Sequence, residues 1–194
     1  GMAEQQMEQL DEIYATLGRA VKLNKSLLLL SRIENGQYTE MEDVSVDEIL
    51  DELLPDLMDI YEHKQVRLIR KREEQPFIIR CNHSLAQILV SNLVKNSLLH
   101  NREGGELQVF TTPASLVIRN TGDAPLDGEK LFRRFYHGMD GKKDSTGLGL
   151  AIARSIALSS SLKLTYEWQD GMHTFRLVKE SKIYCCLLYT SDAA

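Results

Sequence analysis

The chain has 194 residues, of which 43% are apolar and 26% charged, and a formal net charge of −5. There is room for one domain of about 130–150 residues and one appendage. The acidic balance argues against nucleic acid, no apolar run approaches the ~20 residues that cross a bilayer, and Cys81, Cys185 and Cys186 form neither a disulfide framework nor a metal-ligand spacing.

Residues 1–36 read as one long helix. Leu10, Ile13, Leu17, Ala20, Val21, Leu27, Leu28 and Leu30 recur with helical and partly heptad spacing, and Asn35-Gly36 ends the pattern. A helix with one narrow apolar stripe wants a partner helix. The polar residues 1–20 do not read as a signal peptide, and Gly1-Met2 reads as an addition ahead of an internal start, so a fragment is expected. Residues 37–46 read as a linker, and residues 47–179 as the main domain.

Asp47 is expected to cap a helix carrying Ile49, Leu50, Leu53, Leu54, Leu57 and Ile60, with a kink at Pro55. Strands are expected at 66–70 and 77–80, then a helix from Asn82 or Ser84 to about His100. A hairpin follows around Pro113, and another turns at Gln169-Asp170-Gly171. Helices alternating with partly antiparallel strands give an α+β fold, a two-layer sandwich with helices on one face of a sheet. Residues 180–194 do not continue this pattern and read as a non-native or disordered tail.

Four segments carry the chemistry. Asn92, Asn96 and His100 repeat every four residues on one face of the third helix, opposite Leu85, Leu89 and Leu93. Such neutral donors suit Mg²⁺, which keeps water and phosphate oxygens as its other ligands; a solvated polar stripe has the same spacing. Asn120-Thr-Gly122 ends a strand in a polar residue and a glycine turn, where a side-chain carbonyl can meet an adenine amino group or merely cap the turn. Phe132 and Phe135 are expected to anchor a short helix that points Arg133 and Arg134 outward, and residues 137–146 read as a lid. Finally, Gly147-Leu-Gly149 opens an amphipathic helix, so several backbone N–H groups and the positive helix end form a phosphate cradle.

In this order the segments resemble the ATP-binding domain of sensor histidine kinases, within the gyrase, heat-shock chaperone, histidine kinase and mismatch-repair ATPase superfamily. The resemblance covers about residues 20–178, and Gly147-Leu-Gly-Leu-Ala-Ile is its most specific part. Asn120-Thr-Gly, Leu131-Phe-Arg-Arg-Phe-Tyr and Gly171-Met-His-Thr-Phe look most like Bacteroides kinases, and Leu28-Leu-Leu-Ser-Arg-Ile-Glu-Asn-Gly36 resembles the end of a dimerisation and phosphotransfer hairpin. The resemblance implies a Bergerat-type fold that binds ATP and Mg²⁺.

Carried over, Asn96 and Asn92 hold the metal, Asn120 meets adenine, Gly122 lies under the base, and Arg134 reaches the terminal phosphate. Gly147, Leu148 and Gly149 offer amides to the phosphates, and Thr174 supports the adenine end. His100, Tyr136, Thr146 and Leu150 complete the nucleotide-binding set, with Arg134 and Asn92 in the catalytic roles. The chain departs from the family pattern at Leu99 in place of a lysine, Asn120 in place of an aspartate and Ser145 in place of a glycine.

Position 92 bears on the reaction. ATP-hydrolysing branches carry a glutamate there as general base; Asn92 cannot take a proton, so phosphoryl transfer to an outside acceptor is expected. The family's acceptor is a histidine followed by an acidic residue. His63, His83, His100, His137 and His173 are not so followed, so this chain is expected to lack its acceptor. The resemblance further implies a response regulator receiver domain as partner, homodimerisation through the N-terminal hairpin, and a cytoplasmic portion of a protein anchored in the bacterial inner membrane. Two rival readings are a non-catalytic interaction module on a degenerate nucleotide fold and an anti-sigma-type serine/threonine kinase.

Overall fold

A computed structural model describes residues 2–136 and 146–180, with side chains from Gln6 onward. The first helix, α1, runs Met2–Glu34, about 50 Å at 1.5 Å per residue. Gly36 takes φ +65° just after it, the left-handed stop that glycine allows. Met7, Leu10, Tyr14, Leu17 and Val21 stay exposed along a heptad-spaced stripe, whereas Leu30 and Ile33 are buried. Only the end of α1 therefore joins the core, packing on α4 (Gly149–Ser159).

The stretch expected to be a linker contains a strand, β1 (Glu42–Ser45), antiparallel to β3 (Ile78–Cys81). Ser45, not Asp47, caps α2 (Val46–Ile60): its hydroxyl accepts from the Glu48 N–H at 3.3 Å. Asp47 instead lies buried inside the first turn. Its carboxylate accepts from Thr111 Oγ1 at 2.5 Å, from the Phe77 N–H at 2.9 Å and from Arg70. One side chain thereby joins α2 to β2 (Arg67–Arg72), to the entrance of β3 and to β4 (Glu106–Thr112). Burial raises the Asp47 pKa, but the bonds from Thr111, Phe77 and Arg70 outweigh it and hold the group below the usual aspartate range.

Asn82 caps α3 (His83–Leu99), accepting from the Leu85 N–H at 3.3 Å. At the other end Lys64 Nζ donates to the carbonyls of Leu98 and Asn101, both at 2.9 Å, so a cation closes the negative end of the helix. The main sheet runs β2-β4-β5-β7-β6, where β5 is Ser115–Thr121, β6 is Leu162–Gln169 and β7 is Met172–Lys179. Among the described residues of this sheet, only the β2–β4 pair is parallel. Along β4 and β5 every second residue is buried, as in a strand with one covered face. Leu107, Val109, Leu116, Ile118, Phe175 and Leu177 meet the apolar faces of α2, α3 and α4 there. This is the α+β sandwich expected, with a long helix ahead of it.

Candidate functional site

The site lies where α3, the start of α4 and the β5–β7 end of the sheet converge. Asn92, Asn96 and His100 are half-buried, so their stripe is not a solvated face. From Asn92 to His100 it spans about 12 Å along the helix. At its first end a side chain added to Gly149 would lie 3.5 Å from Asn92 Oδ1. The α4 turn thus lies beside the polar stripe, at a distance that would leave a side chain there in ordinary contact with Asn92. Leu148 caps α4 without a side-chain hydrogen bond, and the first-turn amides of a helix have no intrahelical acceptor. Gly147 adopts φ +64°, Leu148 is wholly buried, and Leu150 is buried behind the turn. Thr146 and Tyr136 are half-buried at its margin.

At its second end the stripe meets the sheet. Asn101 Oδ1 accepts from Thr121 Oγ1 at 2.5 Å, and its Nδ2 donates to the Glu106 carbonyl at 2.9 Å. Gly105 permits this knot, because a side chain there would stand 2.1 Å from Thr121 Oγ1. Asn101 thus ties the end of α3 to the Asn120–Gly122 turn. Nothing in the sequence marked this residue.

Asn120 is buried, and its Nδ2 donates to the Thr121 carbonyl at 3.1 Å. Its register partner on β7 is His173, so the two side chains share the helix-covered face. Thr174 pairs with Arg119 on the other face and accepts from Arg119 Nε at 3.3 Å. Thr174, expected to support the adenine end, thus lies on the face opposite Asn120, because a strand alternates its faces, and His173 shares the face of Asn120. His173 was overlooked, although the alternation His173, Phe175, Leu177 placed it among core residues.

Gly122 also differs from expectation. Its open side is occupied by the His173 ring: a side chain on Gly122 would fall 2.2 Å from His173 Nε2. The His173 ring lies 4.6 Å from that of Trp168 and 5.9 Å from that of Tyr166, which in turn meets Phe175. Burial pushes its pKa down, partly offset by Asp123, so the neutral imidazole is favoured.

The expected short helix around Phe132 and Phe135 is a series of turns begun at Asp127. Leu131 is its buried anchor, Phe132 is half-buried beneath the Arg154 guanidinium, and Phe135 is exposed at φ +60°. That left-handed conformation lets the Phe135 N–H donate to the Gly147 carbonyl at 3.0 Å. Arg134 is turned outward and pairs with Glu34, the last residue of α1. Residues 137–145, most of the expected lid and including Ser145, lie outside the described residues, as does the tail from 181.

Among the described residues no cluster of three histidine, cysteine or acidic side chains forms a metal cage. The donor set beside Gly149 is neutral amide. That fits a Mg²⁺ ion carried largely by phosphate and water oxygens.

Residues 82–181 match the family described as histidine kinase-, DNA gyrase B-, and HSP90-like ATPase. The sensor protein QseC of Salmonella typhi is 28% identical over 163 residues, covering 81% of this chain and 36% of QseC. The chain thus spans about a third of the length of that curated relative. The fold is similar to the Acinetobacter baumannii histidine kinase AdeS, with a TM-score of 0.70 at 17% identity over 89% of this chain and 84% of AdeS. It is also similar to the histidine kinase ThkA in its complex with the response regulator TrrA, with a TM-score of 0.64 at 16% identity over 85% of this chain and 48% of that one. These matches lend no support to the narrower Bacteroides resemblance. With the matched segment running from the cap of α3 through β7, the chain belongs to the histidine kinase-, DNA gyrase B- and HSP90-like ATPase family and carries the ATP-binding domain of its sensor histidine kinase branch.

Proposed function

We propose that this chain is the ATP-binding catalytic portion of a sensor histidine kinase. It holds Mg-ATP and presents the γ-phosphoryl group to a histidine outside this sequence, for relay to a response regulator receiver domain. The observation that supports the reading is that Asn92 lies beside the Gly149 turn, 3.5 Å from where a side chain on that glycine would begin. It sets neutral oxygen donors and uncapped amides side by side, the two things a metal-bound triphosphate needs.

In this reading Asn96 and Asn92 contact the metal, which supplies charge neutralisation on the phosphates. The amides of Gly147, Leu148 and Gly149 take the phosphate oxygens, with Thr146, Leu150, His100 and Tyr136 around them. Asn120 accepts from the adenine amino group, and Arg134 stabilises the terminal phosphate. Asn92 provides no general base, so water is not activated and ATP lasts until an acceptor arrives. Residues 1–36 form the second helix of a dimerisation hairpin whose exposed heptad stripe seats other helices of a homodimer, and residues 47–179 form the catalytic domain. The whole protein is anchored in a membrane. No helix among the described residues is long and apolar enough to cross one.

Calorimetry of the chain with Mg-ATP should give saturable binding, weakened at least tenfold in Asn96→Ala. With radiolabelled ATP the chain alone should stay unlabelled. A helical hairpin bearing His-Glu or His-Asp should gain acid-labile label when mixed with it. Label on one of the five histidines here, or no binding heat at millimolar Mg-ATP, would overturn the assignment.

A further inference from the structure

Asn101 is a buried amide, 4% exposed, with both of its polar atoms used. Thr121 Oγ1, which donates to its Oδ1, also accepts from the Glu106 N–H at 3.1 Å. Three segments therefore meet in one knot: the exit of α3, the start of β4 and the end of β5. The main chain of Asn101 is held as well, because Lys64 Nζ donates to its carbonyl and to those of Leu98 and Leu99, the last at 2.5 Å. The connection that follows is stitched down in turn. The Gly104 N–H donates to the Lys64 carbonyl at 2.9 Å, and the Arg67 N–H to the Gly105 carbonyl at 2.8 Å.

Leu85, Leu89 and Leu93 hold α3 in the core by apolar contact, which has no preferred direction along the helix axis. A satisfied buried polar network does have direction, and it rigidifies what it joins. Asn101 therefore sets where α3 stops relative to β5. Asn96 lies five residues back along α3, about 7.5 Å. Asn120 lies one residue before Thr121 on β5. The knot joins the two elements that carry them.

We propose that Asn101 is a positioning residue for the nucleotide: it fixes the separation between Asn96 on the phosphate side and Asn120 on the base side, so that one ligand engages both. This rests on the nucleotide-site reading above and goes beyond it, since Asn101 acts without touching the ligand. Two groups joined in one ligand gain over the separate pieces only while the geometry lets both engage at once. Loosening the knot weakens the joined ligand and spares the pieces. A residue that served stability alone would move all of them together or none.

The test uses the whole chain with Mg-ATP, adenosine and magnesium tripolyphosphate, the last two read by displacement of ATP in calorimetry. Asn101→Ala removes the amide, and Thr121→Val removes the hydroxyl at nearly constant size. Gly105→Ala places a methyl group 2.1 Å from Thr121 Oγ1 and 2.3 Å from Asn101 Oδ1, which forces the pair apart. Each variant should bind ATP about tenfold more weakly, a modest share of the roughly 10²–10⁴-fold that simultaneous engagement adds, and each fragment within about twofold of wild type. Thr121→Ser keeps the hydroxyl and should match wild type. Circular dichroism melting identifies the folded variants, and the nearly isosteric Thr121→Val decides the matter should Asn101→Ala not fold. ATP and fragments weakening together, or ATP unchanged in Thr121→Val, overturns the proposal while leaving wild-type ATP binding intact. Fragments that fail to displace ATP from wild type overturn it as well, because the two halves are then not separate sites. Wild type that binds no ATP removes the underlying site.

Discussion

Arg134 cannot serve a terminal phosphate and Glu34 at once. In the structure it is held by Glu34 at the end of α1. Replacing Glu34 by Gln removes the competitor's charge while keeping its size. Both side chains are half-exposed, 48% and 49%, so solvent screens the pair. A pair in that setting contributes about 0.2–1 kcal/mol, which converts to tighter ATP binding by a factor of about 1.4 to 5. ADP, without the terminal phosphate, should gain nothing. Calorimetry with both nucleotides at low salt measures the difference, and raising the salt to about 1 M should shrink it as the Debye length falls to about 3 Å. Equal gains for ATP and ADP, or weaker ATP binding in Glu34→Gln, would refute the competition.

Three further outcomes follow from the packing. Asp47→Ala strands Arg70, whose Nε already lacks a partner, and should lower stability by about 3–5 kcal/mol and the melting temperature by about 6–20 °C; a loss below about 1 kcal/mol by denaturant titration would contradict the network. The same carboxylate gives an acid dependence. Its folded pKa lies below the unfolded value, so its stabilisation is full above about pH 3.9 and lost as pH falls through the lower folded value. Urea midpoints from pH 5 to 2 should accordingly fall more steeply in wild type than in Asp47→Ala. Gly122→Ala forces the His173 ring to move and should cost about 1–3 kcal/mol along with several-fold weaker ATP binding; unchanged calorimetry and melting would show that the ring yields freely.

Much of the fold was legible because its periodicities are clean. The helix ending at Gly36, the hairpins and the Gly149 turn stand as their residues indicated. The missed features depend on pairs distant in sequence. β1 is four residues long and is defined by its partner, with no alternation of its own to read. Asp47 has the chemistry of a cap, but Ser45 takes that role two residues earlier, and tertiary contacts 23, 30 and 64 residues away occupy the carboxylate. Phe135 fits a helical face until its backbone is needed to meet Gly147. In the site, residues recognisable by local motif were legible, whereas Asn101 and Glu34 acquire meaning only from Thr121 and Arg134. His173 was hidden for another reason: among five histidines its strand parity, rather than its neighbours in sequence, sets it opposite Asn120.

The bond from the Phe135 amide to the Gly147 carbonyl has a practical corollary. That bond holds positions 135 and 147 together at 3.0 Å, so the two ends of the segment joining them are fixed at one point. Closure entropy rises only logarithmically, about 0.6 kcal/mol per doubling of length. This is where a peptide tag or an environment-sensitive dye can be spliced in at small thermodynamic penalty, turning the domain into an optical reporter of its own occupancy.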